Sequence, residues 1–154
     1  MSQAEERLAA LGLALPAAAA SVANYVGYTV SGKLVFVSGQ LPFRDGQLAH
    51  VGRLGDGLSV DDGYAAARQC ALNILAQLHA ACAGDLDRVA RVLRLNGFVN
   101  AAPGFTDAPK CLNGASDLMV AVFGEAGRHS RAAVGVASLP AGAAVEVDAI
   151  VELK

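Results

Sequence analysis

Tryptophan is absent, aromatic residues make up only 5% of the chain, and charged residues only 17%. The 12 basic side chains are outnumbered by 14 acidic ones, for a net charge of −2. A basic, aromatic-studded surface for phosphate backbones is therefore missing, which argues against nucleic acid as the main partner. Cysteine occurs three times, at Cys70, Cys82 and Cys111, with no CxxC pair. Zinc ribbons and thioredoxin-like redox sites are thereby unsupported, and these cysteines read as small core residues in a reduced, cytoplasmic setting. The three histidines (His50, His79, His129) lack metal-ligand spacing, so no metal site is expected. No GxGxxG, P-loop or GxSxG pattern occurs. The start is acidic (Glu5-Glu6), unlike a secretory signal, and the Ala17–Ala20 run is too short to span a bilayer. No membrane segment is expected.

What is present is apolar surface. Hydrophobic residues reach 54% of 154, and the mean hydropathy is +0.41. That composition excludes a disordered chain and fits one domain over residues 1–154. So few charges also predict that part of the surface is hidden in an oligomer.

Periodicity gives an order of elements. Leu8, Leu11 and Leu15 suggest a short helix, ended by Gly12 or Pro16, in an N-terminal extension over 1–20. Ala23–Val30 and Lys33–Gly39 read as a hairpin around Ser31-Gly32. Phe43–Gly57 reads as a loop with a short strand near Leu48–Val51. Ser59, with Asp61 and Asp62, opens a long helix whose Tyr64, Ala67, Ala71, Leu75, Leu78 and Cys82 form one stripe, ended by Gly84. Arg88–Val99 is a strand, Pro109–Gly124 a second helix locally weakened by Gly114, and Ser130–Ala137 and Ala144–Val151 are strands. The whole is an α+β layer, a mixed β-sheet with two helices packed on one face. In the last strand Val145, Val147, Ala149 and Val151 face the helices, while Glu146 and Asp148 face away. A subunit contact with a pocket would reconcile a charged outer sheet face with an apolar chain.

Few residues could carry chemistry. Arg131 sits in a strand among small neighbours, where its planar fork can meet a carboxylate. Its plainer alternative is a pairing with Glu146 or Asp148 on the sheet face, or simple exposure. Glu146 and Asp148 share a strand face and could act as acid and base, or form a solvated or ion-paired face. Arg131 and Glu146 would lie opposite one another if the intervening turn centres near Ser138–Leu139, and would not if it centres on Ala141. Gly39 ends a strand and allows close backbone approach of a ligand. Asn113 reads as a cap or exposed amide, His79 as surface, and His129 as a loop or strand-start residue.

Two segments together resemble a known family. Val35-Phe36-Val37-Ser38-Gly39-Gln40-Leu41-Pro42 is similar to the early signature of the Rid/YjgF family, the reactive intermediate deaminases. Ser130–Pro140, followed by Val145-Glu146-Val147-Asp148-Ala149-Ile150, is similar to its C-terminal signature. The resemblance runs from about Tyr25 to Val151. It implies a chorismate-mutase-like fold and a homotrimer with ligand pockets in the clefts between subunits. It implies hydrolysis of enamine/imine acids such as 2-aminoacrylate to 2-keto acids and ammonia, without metal or organic cofactor. By position, Arg131 matches the family's carboxylate-binding arginine, Glu146 the glutamate beside the attacking water, and Gly39 the glycine whose backbone lines the pocket. Asn113 matches a helix asparagine, Ala133 the next pocket position, and Tyr28 a pocket tyrosine, with Tyr25 in competition. Active deaminases of the family often carry Arg-Ser-Cys where this chain has Arg131-Ala132-Ala133, so no thiol stands there. The extension and the added residues around Asn100–Lys110 resemble a divergent subgroup. The implied alternatives are a non-catalytic trimer binding a small carboxylate, an endoribonuclease, which the charge balance opposes, and a purely structural trimer.

Overall fold

The computed structural model describes residues 1–154. In chain order the elements are α1 (Gln3–Ala10), β1 (Tyr28–Ser31), β2 (Leu34–Gln40), β3 (Phe43–Arg44), β4 (Gln47–Leu48), β5 (Arg53–Leu54), β6 (Gly57–Leu58), α2 (Val60–Ala81), β7 (Val89–Asn100), α3 (Ala108–Phe123), β8 (Ser130–Val136) and β9 (Val145–Leu153). Five strands form one sheet in the order β1-β2-β9-β7-β8. Within this sheet only the β7–β8 pair is parallel, and α3 supplies the crossover between those two strands. The architecture is the expected α+β layer, with α2 and α3 on one sheet face.

Local chemistry explains the long elements. Ser59 caps α2 through a capping box with Asp62, each side chain serving the other's backbone amide. α2 ends at Cys82, and Gly84 takes the positive φ that turns the chain away. Gly114 has a purpose that helix propensity hides. A Cβ there would run into the Tyr64 carbonyl, so this glycine lets α2 and α3 touch backbone to backbone. In β9 the residues alternate as expected, with Val145, Val147, Ala149 and Val151 buried in a core that also takes in Ala4 and Leu8 of α1.

Three expectations need correction. The hairpin's first strand begins at Tyr28, not Ala23, because the chain over 22–25 is bent rather than extended. The loop over 43–57 holds two tiny ribbons, β3–β4 and β5–β6, and Val51 makes only an isolated bridge to Ala143. β8 and β9 are not neighbours. β7 lies between them, pairing Leu95 with both Arg131 and Ala149, and Phe98 with both Val134 and Glu146. No turn position could therefore set Arg131 opposite Glu146.

The sheet face away from the helices stays uncovered within the chain. Phe36 and Val134 are exposed there at 41% and 47%. Beside them Arg94 Nε donates to Asn96 Oδ1 at 3.1 Å, and Asn96 Nδ2 donates to Asp148 Oδ1 at 2.7 Å. No helix is long and apolar enough to cross a membrane.

Candidate functional site

Strand register separates the candidate residues into two groups. Arg131 pairs with Leu95, a fully buried residue under the helices, so its side chain rises on the helix face at the sheet edge. There Nη1 donates to Ser116 Oγ at 3.1 Å and Nη2 to the Pro109 carbonyl at 3.2 Å, both on α3. The ion pairs of the chain are His79–Glu5 and Lys110–Asp107, so the guanidinium meets no carboxylate. The alternative of an Arg131 pair with Glu146 or Asp148 is thus excluded within one chain.

The space beside Arg131 is an open depression of about 610 Å³, lined by Asn113, Ser116, Asp117, Arg128 and His129 among others. Asn113 is exposed, inside α3 rather than at its cap. Ala133 follows Arg131 on the same strand face, opposite Gly97, half-buried and without a polar group. His129 stands at the start of β8, as expected, but it is not idle. Its Nε2 lies 2.9 Å from Ser116 Oγ and its Nδ1 lies 2.6 Å from the Gly127 carbonyl. Ser116 and His129 are the residues that the sequence reading missed. The available signal was spacing, because His129 lies two residues before Arg131, at the entry to β8.

The second group centres on Glu146, on the uncovered sheet face. Between Val37 and Gln40 the β2–β9 register slips, and the extra residue is the Ser38-Gly39 bulge. Ser38 Oγ donates to the Val26 carbonyl at 2.6 Å and so pins the segment before β1. A Cβ on Gly39 would lie 2.5 Å from Glu146 Oε1. Glycine lets the carboxylate lie against its backbone, where a Cβ would displace it. Burial, then the neighbouring Asp148, push the Glu146 carboxyl above the ordinary range. Tyr28 joins neither group closely. It pairs with buried Val37 and packs on the core from the helix side, while Tyr25 is exposed.

The structure therefore brings Arg131, Asn113 and Ala133 to one sheet face, and Glu146 with Gly39 to the other. His50, His79 and His129 are not gathered with any acidic or thiol cluster able to hold a metal. The three thiols are buried, and burial pushes Cys70 and Cys111 up, the latter to about 11, so none is a thiolate at neutral pH.

Comparison with known proteins agrees with this architecture. Protein TCP17 of Trypanosoma cruzi is 59% identical over 144 residues, which cover 93% of this chain and 89% of that one. The crystal structure of Atu1372 from Agrobacterium tumefaciens superposes with a TM-score of 0.94 at 51% identity, covering 99% of this chain and 93% of that one. RidA from the Antarctic bacterium Psychrobacter sp. superposes less closely, at a TM-score of 0.60 and 29% identity over 88% of this chain and 94% of that one. A family model described as "YjgF/chorismate mutase-like, putative endoribonuclease" matches residues 5–153. Sheet order, bulge and strand-borne arginine thus sit in a chain matched almost end to end, and the protein belongs to the YjgF/chorismate mutase-like family.

Proposed function

We propose that this protein is an enamine/imine deaminase that hydrolyses 2-imino acids of the 2-aminoacrylate type in clefts between the subunits of a homotrimer. One observation carries the reading: a half-buried guanidinium held by a hydroxyl and a peptide carbonyl, with no counter-ion, opening on a depression. A fork so held has donors left for a carboxylate.

Within one chain, Arg131 and Glu146 lie on opposite faces of the sheet with a strand between them. Two strand spacings alone amount to about 10 Å. A three- or four-carbon acid cannot touch both. A second copy presenting its uncovered sheet face to the Arg131 edge brings Glu146 and Gly39 of one subunit to Arg131 and Asn113 of another. The bare face with Phe36 and Val134 supports such a contact.

In that cleft Arg131 fixes the substrate carboxylate and so places the imine carbon. Glu146, poised by its raised pKa, orients water and accepts its proton as oxygen bonds to the carbon. That proton passes to nitrogen as the C=N bond opens to a carbinolamine, and the carbinolamine's hydroxyl proton follows it by way of Glu146 as the C–N bond breaks, giving the 2-keto acid and ammonia. The carbon is already electrophilic, so the chemistry draws on no metal or organic cofactor.

The second reading is a trimer that binds a small carboxylate without turning it over. Ala132 and Ala133 favour it, since they place no reactive group beside the fork. Ammonia release from freshly generated 2-aminoacrylate separates the two. The wild type is expected to accelerate release, and Arg131→Lys, which keeps the charge but not the fork, is expected to lose at least tenfold. Unaccelerated release by the wild type favours the binder, and wild-type turnover by Arg131→Lys removes the fork from the mechanism.

A further inference from the structure

A peptide carbonyl can only accept a hydrogen bond, so the 2.6 Å contact to Gly127 fixes the proton of His129 on Nδ1 in either charge state. The only site left to titrate is Nε2, and Nε2 faces Ser116 Oγ at 2.9 Å. With the imidazole neutral, Nε2 accepts the Ser116 hydroxyl proton. Ser116 can then only receive from Arg131 Nη1, and it has nothing to offer an anion. With the imidazole protonated, Nε2–H donates to Ser116 Oγ and the hydroxyl hydrogen is released toward the depression. We infer that Ser116 and His129 are ligand-binding residues that couple capture of an organic carboxylate at Arg131 to uptake of one proton on His129 Nε2.

The balance is simple. One proton comes from solvent to Nε2, the Ser116 hydrogen turns from His129 to a carboxylate oxygen, and Arg131 holds the carboxylate. The ligand's negative charge and the proton's positive charge cancel, so the site takes up the equivalent of the neutral acid. Proton uptake requires an imidazole that is neutral when the site is empty. Burial, and after it the Arg131 charge, hold it below the ordinary histidine range against the opposing Gly127 contact. The charged groups around it are Arg131 on β8, Arg128 just before it, and Asp117 on α3, whose carboxylate already accepts from Tyr64 at 2.7 Å. An arriving carboxylate is thus the new charge that favours the imidazolium.

The inference rests on Arg131 as the carboxylate anchor, and the test keeps the two apart. Pyruvate binding is measured by calorimetry from pH 5.5 to 8 in two buffers of different ionisation enthalpy, and 2-aminoacrylate turnover is measured in parallel. Between the free and the pyruvate-bound imidazole's pKa values the wild type is expected to take up protons, toward one per pyruvate, and its affinity to fall by up to tenfold per pH unit. His129→Gln is expected to bind pyruvate with uptake near zero and a flat pH profile, and Ser116→Ala to show uptake below that of the wild type. Glu146→Gln is expected to retain the uptake. Pyruvate binding without uptake in the wild type, uptake that persists in His129→Gln, or uptake that vanishes in Glu146→Gln overturns the inference and leaves Arg131 as anchor. Absence of pyruvate binding at millimolar concentration at every pH overturns both.

Discussion

A guanidinium held by Ser116 Oγ and the Pro109 carbonyl has donors left for an anion, while burial and then the neighbouring Asp148 work against charge on the Glu146 carboxyl. In the proposed mechanism these two settings divide substrate anchoring from proton handling. At Gly39 an added Cβ would meet Glu146 Oε1 at 2.5 Å. The carboxylate sits at the end of a flexible side chain, so Gly39→Ala moves it rather than unfolding the strand. Steady-state kinetics are expected to show kcat reduced about ten- to hundredfold, with pyruvate affinity little changed. An unchanged kcat would remove Gly39 from the positioning of Glu146. The raised Glu146 pKa also has a stability consequence. Its stabilising effect, relative to the unfolded chain, is present below the ordinary carboxylate range and is lost as pH rises through the raised folded value. Glu146→Gln is therefore expected to raise Tm at pH 7 and to lose that advantage near pH 4, as thermal melts at the two pH values would show. A Tm lowered at pH 7 contradicts the desolvation argument.

The elements are joined where side chains are smallest. Gly63 and Gly114 face Cys111 and the Tyr64 carbonyl, so α2 and α3 pack closer than alanine would allow. Helix propensity alone says that Gly114→Ala stabilises by about 1 kcal/mol. Backbone contact says that it destabilises by about 1–3 kcal/mol, because the neighbouring atom is a peptide oxygen that cannot swing aside. Packing is expected to win, lowering Tm by several degrees. A raised Tm would mean that the helices separate freely. The same contact fixes α3 over β8, and so fixes Ser116 and the Pro109 carbonyl over Arg131. Most of these elements were readable from the chain. Ser59 with Asp62 announced α2, and the alternation from Val145 to Val151 announced β9 and its buried face. The role of Gly114 was not readable, because a glycine that weakens a helix and one that admits a neighbouring helix are the same letter.

For the whole molecule, the two half-sites and the bare sheet face point to assembly. Arg131→Ala and Glu146→Gln variants should each be inactive alone. Co-refolded as mixed oligomers, they should regain a measurable fraction of ammonia release, since some clefts would unite an intact Arg131 with an intact Glu146 from different chains. No recovery on mixing would place both residues in one chain's site and contradict the shared cleft.

The linear order of amino acids determined the alternating faces, the capped helix, and the chemistry on offer: a lone arginine among small neighbours and a glutamate on the outer sheet face. These are local properties, set by a period of two or 3.6 residues and by which side chains can cap or pair. Only tertiary structure decided which strands became neighbours. Inserting β7 between β8 and β9 set Arg131 and Glu146 two strands apart, the register turned them to opposite faces, and laying α3 over the sheet edge brought Ser116 and His129 to the guanidinium. Strand pairing is a contest among distant segments for the same backbone hydrogen bonds and the same buried face, and no local pattern records its winner.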